Sequence, residues 1–185
     1  MAIELKTCPW RKTRIKPPRV ELQILVNFLD QFPKESMLEI GGGNSTWYLH
    51  QLGFPVYTVV ETWEPVVKDI LAQNFKDLTL VKRWEDIPRI KYQYIFIDSH
   101  VGGNASKMQR EKSLAYAIDN NLLRDEVMII AHDYSLMKDL KDVVYSKRRC
   151  VGYDWYKIME KNRFEVILEI PTEGKLQFGV YQRKQ

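Results

Sequence analysis

Cysteine, histidine and long apolar runs are all scarce in this chain. Its two cysteines, Cys8 and Cys150, lie far apart and show neither Cys-x-x-Cys nor Cys/His spacing, so the sequence suggests no disulfide framework and no zinc site. Both read as reduced thiols. No apolar stretch approaches the roughly 18 to 20 residues that span a bilayer, and the opening MAIELKTCPWRKTR has no apolar core of a secretory leader. A cytoplasmic protein without membrane association is the expectation. No internal repeat, linker or low-complexity tract breaks the 185 residues, of which 45% are apolar and 28% charged. That is the balance of one globular domain with a sizeable core.

Net charge is also small, at +4, but its distribution is uneven. Residues 1–20 carry Lys6, Arg11, Lys12, Arg14, Lys16 and Arg19 against a single acid, Glu4, and the rest of the chain is close to neutral. The expected division is therefore a basic N-terminal arm over residues 1–18 and a single domain over 19–185. A solvated arm is the favoured reading. Contact with phosphate or an acidic partner is the alternative, supported by a second basic cluster at Lys147-Arg148-Arg149.

After Pro17-Pro18, the residues Val20, Ile24, Leu25, Phe28 and Leu29 recur at helical spacing and end near Phe32-Pro33. Strand-like runs follow at Ser36 to Ile40, Val56 to Val60, Leu78 to Val81, Tyr92 to Ile97 and Val127 to Ala131, with helix-compatible stretches between them at Trp47 to Leu52, Glu64 to Asn74 and Ser106 to Asn120. This alternation predicts a doubly wound α/β sheet of parallel strands. The end of the chain differs. Phe164 to Ile170 and Leu176 to Tyr181 are joined by only five residues, too few for a crossover, so they should form an antiparallel pair and complete a seven-stranded mixed sheet.

Chemistry is concentrated where these strands stop. The first ends in Leu38-Glu39-Ile40-Gly41-Gly42-Gly43-Asn44-Ser45-Thr46, a strand-glycine-helix sequence in which glycine permits positive φ and lets a ligand approach the backbone. A bare Gly-x-Gly turn also serves structure alone, with Ser45 or Thr46 as a helix cap. Glu39 stands two residues before the first glycine, where a carboxylate can receive an amino group or order the loop. Glu61 closes the second strand about twenty residues on, a position from which a carboxylate can accept both hydroxyls of a ribose. An acid beside the turn suits a cationic, amino-acid-bearing cofactor better than a pyrophosphate.

In these residues the sequence resembles the class I S-adenosylmethionine-dependent methyltransferases. LEIGGGNSTWYL matches their first motif, an acid followed by a glycine turn, in the variant that ends in Ser-Thr. The resemblance implies a Rossmann-like sheet of order 3-2-1-4-5-7-6 with the last strand antiparallel, and S-adenosylmethionine as cofactor. It places Glu39, Gly41, Gly42, Gly43, Asn44, Ser45 and Thr46 on the cofactor, Glu61 on its ribose, and Thr62 and Trp63 beside its adenine. After the third strand the family's Gly-Asp is replaced by Lys82-Arg83-Trp84-Glu85, where Trp84 is the residue to cover the adenine.

The fourth strand runs into Asp98-Ser99-His100 and the fifth into His132-Asp133, bringing two of the three histidines to one sheet edge. Asp98, His100 and His132 are the catalytic candidates, a histidine acting as general base on an acceptor hydroxyl or amine and Asp98 also lying near the cofactor. This pattern is similar to small-molecule O-methyltransferases, some of which bind a divalent cation such as magnesium, and Asp98 with Asp133 is the pair that would hold it. The loop after the fourth strand lacks the Asn/Asp-Pro-Pro-Tyr sequence of base N-methyltransferases, no lysine marks the fifth strand end as in ribose methyltransferases, and no cysteine nucleophile is placed for C5 chemistry. An oxygen or nitrogen of a small-molecule acceptor is left as the expected target. A nucleic-acid-binding or RNA-modifying protein using the basic arm is the alternative, and a nicotinamide-dependent oxidoreductase ranks third because the third fingerprint glycine is replaced by Thr46. The aromatic run Tyr153-Asp154-Trp155-Tyr156 is expected to seal the sheet rather than wall the acceptor pocket.

Overall fold

The computed structural model describes residues 6, 20–62, 64–98, 110–132, 151–172 and 175–184. The first helix, α1 (Val20–Leu29), forms where the apolar spacing predicts it and buries Leu22, Leu25, Val26 and Leu29 along one stripe. Its C-terminal carbonyls are satisfied from outside the helix. The Lys34 ammonium donates to the carbonyls of Leu29 and Phe32 at 3.0 and 2.8 Å.

Six further elements alternate as β1 (Ser36–Ile40), α2 (Asn44–His50), β2 (Val56–Val60), α3 (Glu64–Ala72), β3 (Leu78–Val81) and β4 (Tyr92–Ile97). Then come α4 (Arg110–Asp119), β5 (Leu123–His132), α5 (Val151–Lys161), β6 (Phe164–Thr172) and β7 (Lys175–Arg183). Asn74, Asn121 and Arg163 take positive φ just beyond α3, α4 and α5, the left-handed turn that stops a helix.

The sheet has seven strands in the order β3-β2-β1-β4-β5-β7-β6, as expected. β1, β2, β3, β4 and β5 pair in parallel, and β7 is antiparallel to both β5 and β6. Every residue of β1 is buried, because helices cover both faces of the central strands. One face carries Met37, Tyr57, Val59, Tyr94 and Ile130 against α1, α2 and Ile70 of α3. The opposite face carries Leu38, Ile40, Ile95, Ile97 and Ile129 against Leu114 and Ala117 of α4 and Trp155 and Met159 of α5. Among the described residues, no helix is long and apolar enough to cross a membrane.

Two elements differ from the sequence reading. β5 begins at Leu123 rather than Val127, because the polar Arg124, Asp125 and Glu126 are exposed at a register shift near the start of the strand and so lack the alternation of a half-buried strand. The aromatic run at 153–156 lies in a helix, α5. Trp155 is fully buried there, its indole N–H donating to the Tyr181 hydroxyl at 3.2 Å and its ring edge-on to Tyr181, so this residue seals the sheet as expected. Of the basic arm, Lys6 is described. Its backbone N–H donates to Gln51 Oε1 and its carbonyl accepts from the Trp47 indole, which ties it to the outer side of α2. The rest of the arm, with its boundary at 18, lies outside the described residues.

Removing the Trp155 side chain leaves a large cavity and breaks its bond to the Tyr181 hydroxyl. Trp155→Ala should therefore cost about 3 to 5 kcal/mol of stability. Urea denaturation of the variant measures it, and a loss below about 1 kcal/mol would show that α5 contributes little to the core.

Candidate functional site

The site begins with a consequence of parallel pairing. Ile40 of β1 is in register with Val60 of β2 and with Ile97 of β4, so the next residues, Gly41, Glu61 and Asp98, stand side by side at the C-terminal edge of the sheet. Ladder bonds continue through them: the Gly41 N–H donates to Val60 O at 3.0 Å, Glu61 N–H to Val81 O at 3.1 Å, and Asp98 N–H to Ile40 O at 2.9 Å. Ile97 pairs with Ala131, which sets His132 next to Asp98. Four chemically distinct strand ends thus share one rung.

The glycine turn leaves β1 at Gly41, whose φ of 90° lies in the region that disfavours side chains. Gly42 is small for a different reason. A Cβ there would sit 2.9 Å from both the Val59 and Ile70 side chains, so its absence lets the turn press onto β2 and α3. Gly43 is extended and caps α2, with nothing within 4 Å of where a Cβ would project. Thr46 closes the turn by accepting the Gly43 N–H on its hydroxyl at 2.9 Å while its own N–H donates to Gly43 O at 3.0 Å. Asn44 opens the helix on the exposed side.

Beneath this turn Glu39 is completely buried. Its Oε1 accepts from the Ser45 hydroxyl and its Oε2 from the Tyr57 hydroxyl, each at 2.5 Å. Burial raises the Glu39 pKa from 4.5 to about 8, against the opposing pull of the hydroxyl donors of Ser45, Tyr57 and Thr46, with the Asp98 charge raising it further. Glu39 therefore holds its proton to higher pH than an ordinary carboxyl does. Burial first and Glu39 second push the Tyr57 phenol well above its ordinary range as well. Both carboxyl oxygens of Glu39 are thus engaged from within the protein, and the hydroxyl of Ser45 faces inward to it. Tyr57 was not among the residues expected from the sequence, where it reads as an ordinary strand aromatic.

Glu61 is also buried, and one carboxylate oxygen accepts the N–H of the exposed Thr62 at 2.7 Å. Trp84 lies half-buried in a short 3-10 turn, Trp84–Asp86, with its ring 5.4 Å from that of Tyr116 on α4. Arg83 beside it forms a two-pronged exposed pair with Asp86 at 2.9 and 2.8 Å. At the other end of the rung, the His132 imidazole Nδ1 is 2.5 Å from Asp98 Oδ1. The His132 ring also packs on Phe178, its cross-strand partner on β7, with centroids 5.0 Å apart.

Trp63, His100 and Asp133 lie outside the described residues. Among those described, no group of three or more His, Cys, Asp or Glu side chains is gathered to hold a metal ion. Asp98 is engaged with His132 instead, so the expected divalent-cation pair of Asp98 and Asp133 gains no support from the described residues.

No protein-family model matches the chain, and no curated protein matches it either. Solved structures do. The chain is similar to a putative O-methyltransferase from Klebsiella pneumoniae, with 17% identity over 95% of this chain and 84% of that one and a TM-score of 0.64. It is similar to the O-methyltransferase TomG from Streptomyces achromogenes, solved with SAM, at 16% identity, 93% and 82% coverage and a TM-score of 0.62. A ribosomal-protein methylase from Lactobacillus delbrueckii subsp. bulgaricus matches at 13% identity, 89% and 77% coverage and a TM-score of 0.57. The fold is that of the class I S-adenosylmethionine-dependent methyltransferases, as the resemblance in sequence implies.

The state of Glu39 leads to a pH dependence. Folded Glu39 holds its proton more tightly than the unfolded chain does, so its contribution to stability is complete below pH 4.5 and is lost as pH rises toward about 8. Glu39→Gln cannot titrate, and its stability should fall less steeply over that range than the wild type's. Denaturant titrations across those pH values test this; equal slopes in the two proteins would mean that Glu39 ionises normally.

Proposed function

We propose that the protein is an S-adenosylmethionine-dependent methyltransferase that acts on an oxygen or nitrogen of a small-molecule acceptor. The observation that carries this reading is the single rung on which Gly41, Glu61, Asp98 and His132 stand at the C-terminal edge of the sheet. The residues suit the cofactor in kind. A buried carboxylate at the end of β2 matches a pair of ribose hydroxyls, and the open side of Gly43 leaves the backbone approachable. The carboxylates of Glu61 and Asp98 at the same edge favour a cationic ligand over a pyrophosphate.

When bound, the cofactor supplies an electrophilic methyl group on a positively charged sulfur. The chain's own contribution is to hold and to move a proton. Glu61 would accept the ribose hydroxyls, the turn from Gly41 to Thr46 would take the amino-acid portion, and Thr62, Trp63 and Trp84 would be the residues to border the adenine. Asp98 accepts the Nδ1 proton of His132, which fixes the neutral tautomer with the lone pair on Nε2 and stabilises the imidazolium once a proton is taken from the acceptor. His100 is a second candidate for that base. Burial of His132 against Phe178 restricts its ring and so limits the directions from which an acceptor can reach it.

The acceptor assignment is supported by the loop after β4, which begins Asp98-Ser99-His100 and offers none of the prolines used to grip a flipped base. The experiment is calorimetric titration with S-adenosylhomocysteine, S-adenosylmethionine and NAD, each with and without magnesium, on the wild type and Glu61→Ala. Binding of the first two but not NAD is expected, and Glu61→Ala should weaken it by about 1.5 to 3 kcal/mol, the worth of hydrogen bonds to a charged group. Preference for NAD would move the protein to hydride-transfer chemistry. Unchanged affinity in Glu61→Ala would remove that residue from the site.

A further inference from the structure

We infer that Tyr57 is a positioning residue for the cofactor-binding turn, acting through Glu39 rather than by touching a ligand; its cofactor arm rests on the methyltransferase reading above. Tyr57 enters from β2, two positions before the strand's last residue but one, on the same face of the sheet as Glu39 and Val59. Only 1% of its surface is exposed, and its ring is enclosed by Phe54 at 6.2 Å and by His50, stacked at the same distance. Its sole polar side-chain atom is thus carried to one place. The hydroxyl donates to Glu39 Oε2 at 2.5 Å.

Glu39 is itself joined to the glycine turn. Glu39 receives the Ser45 hydroxyl on its other oxygen, and Thr46 receives the N–H of Gly43. Ser45, Thr46, Glu39 and Tyr57 are all buried, so none of these bonds is readily replaced by one to water. If the Tyr57 hydroxyl is removed, Glu39 loses one of its two hydroxyl donors, and Ser45, two residues after Gly43, bonds to a less fixed acceptor. Core packing alone explains a tyrosine ring at this position, but it does not explain a hydroxyl aimed at the underside of the turn.

The test compares Tyr57→Phe with Tyr92→Phe. Tyr92 is an equally buried tyrosine whose hydroxyl bonds instead to Thr58 Oγ1 at 3.0 Å and to Pro88 O at 3.3 Å, so it controls for the loss of any buried hydroxyl. Amide exchange at Gly43, read without ligand, should quicken about tenfold in Tyr57→Phe and stay near the wild-type rate in Tyr92→Phe, at matched loss of thermal stability. Affinity for S-adenosylhomocysteine should fall about tenfold in Tyr57→Phe only. Equal exchange at Gly43 in the two variants, or equal affinity, overturns the inference. A wild type that binds no S-adenosylhomocysteine removes the methyltransferase reading instead, and Gly43 exchange alone then decides whether Tyr57 sets the turn.

Discussion

A carboxyl group with no access to water sits at the centre of this molecule, and two hydroxyls hold it there. Glu39 lies on the most enclosed strand of the sheet, directly beneath the turn that the fold presents at its functional edge. Burying a carboxylate without a cation is expensive, so burial raises the Glu39 pKa, and the hydroxyl donors around it offset part of that cost. Ser45 from above and Tyr57 from the neighbouring strand then act as its two fixed partners. The position of Gly43, and hence of the backbone that faces outward, follows from this arrangement.

Around that centre, parallel pairing does most of the remaining construction. Register aligns Ile40, Val60, Ile97 and Ala131 across four strands, so whatever follows each of them is delivered to one edge. Glu61 is delivered as a buried acid and Asp98 as a partly exposed one joined to His132. A solvent-facing acid would ordinarily leave a histidine free to reorient. Here Phe178 on one side and the Asp98 carboxylate on the other hold the ring, and the antiparallel β7 strand that supplies Phe178 becomes part of the site's wall.

Much of this architecture is legible in the sequence, for identifiable reasons. The abrupt change from Ile40 to three glycines marks a strand end, and the five residues between Ile170 and Leu176 permit only an antiparallel return. The Asp98 and His132 pairing is also foreshadowed, because both follow strands that a doubly wound sheet makes neighbours. Tyr57 escapes detection because its role depends on a partner eighteen residues away and on which face of β2 it occupies, whereas Val-Tyr-Thr-Val-Val reads simply as strand. The start of β5 is hidden by the exposed Arg124 to Glu126, whereas α5 does carry a helical spacing, Val151, Trp155, Ile158 and Met159, which the aromatic run at 153–156 obscures. The third-strand segment illustrates the converse. Arg83 looks like a misplaced site residue until its exposed pairing with Asp86 explains it locally.

In the proposed function, the turn built over Glu39 receives the amino-acid portion of S-adenosylmethionine while Glu61 receives its ribose. Backbone amide resonances followed during titration with S-adenosylhomocysteine examine both contacts at once. The largest shifts are expected at Gly41 to Thr46 and at Glu61 and Thr62, with smaller ones at Asp98 and His132. Shifts confined to the opposite edge of the sheet, around Asp125, Glu165 and Arg183, or no shifts at saturating ligand, would contradict it.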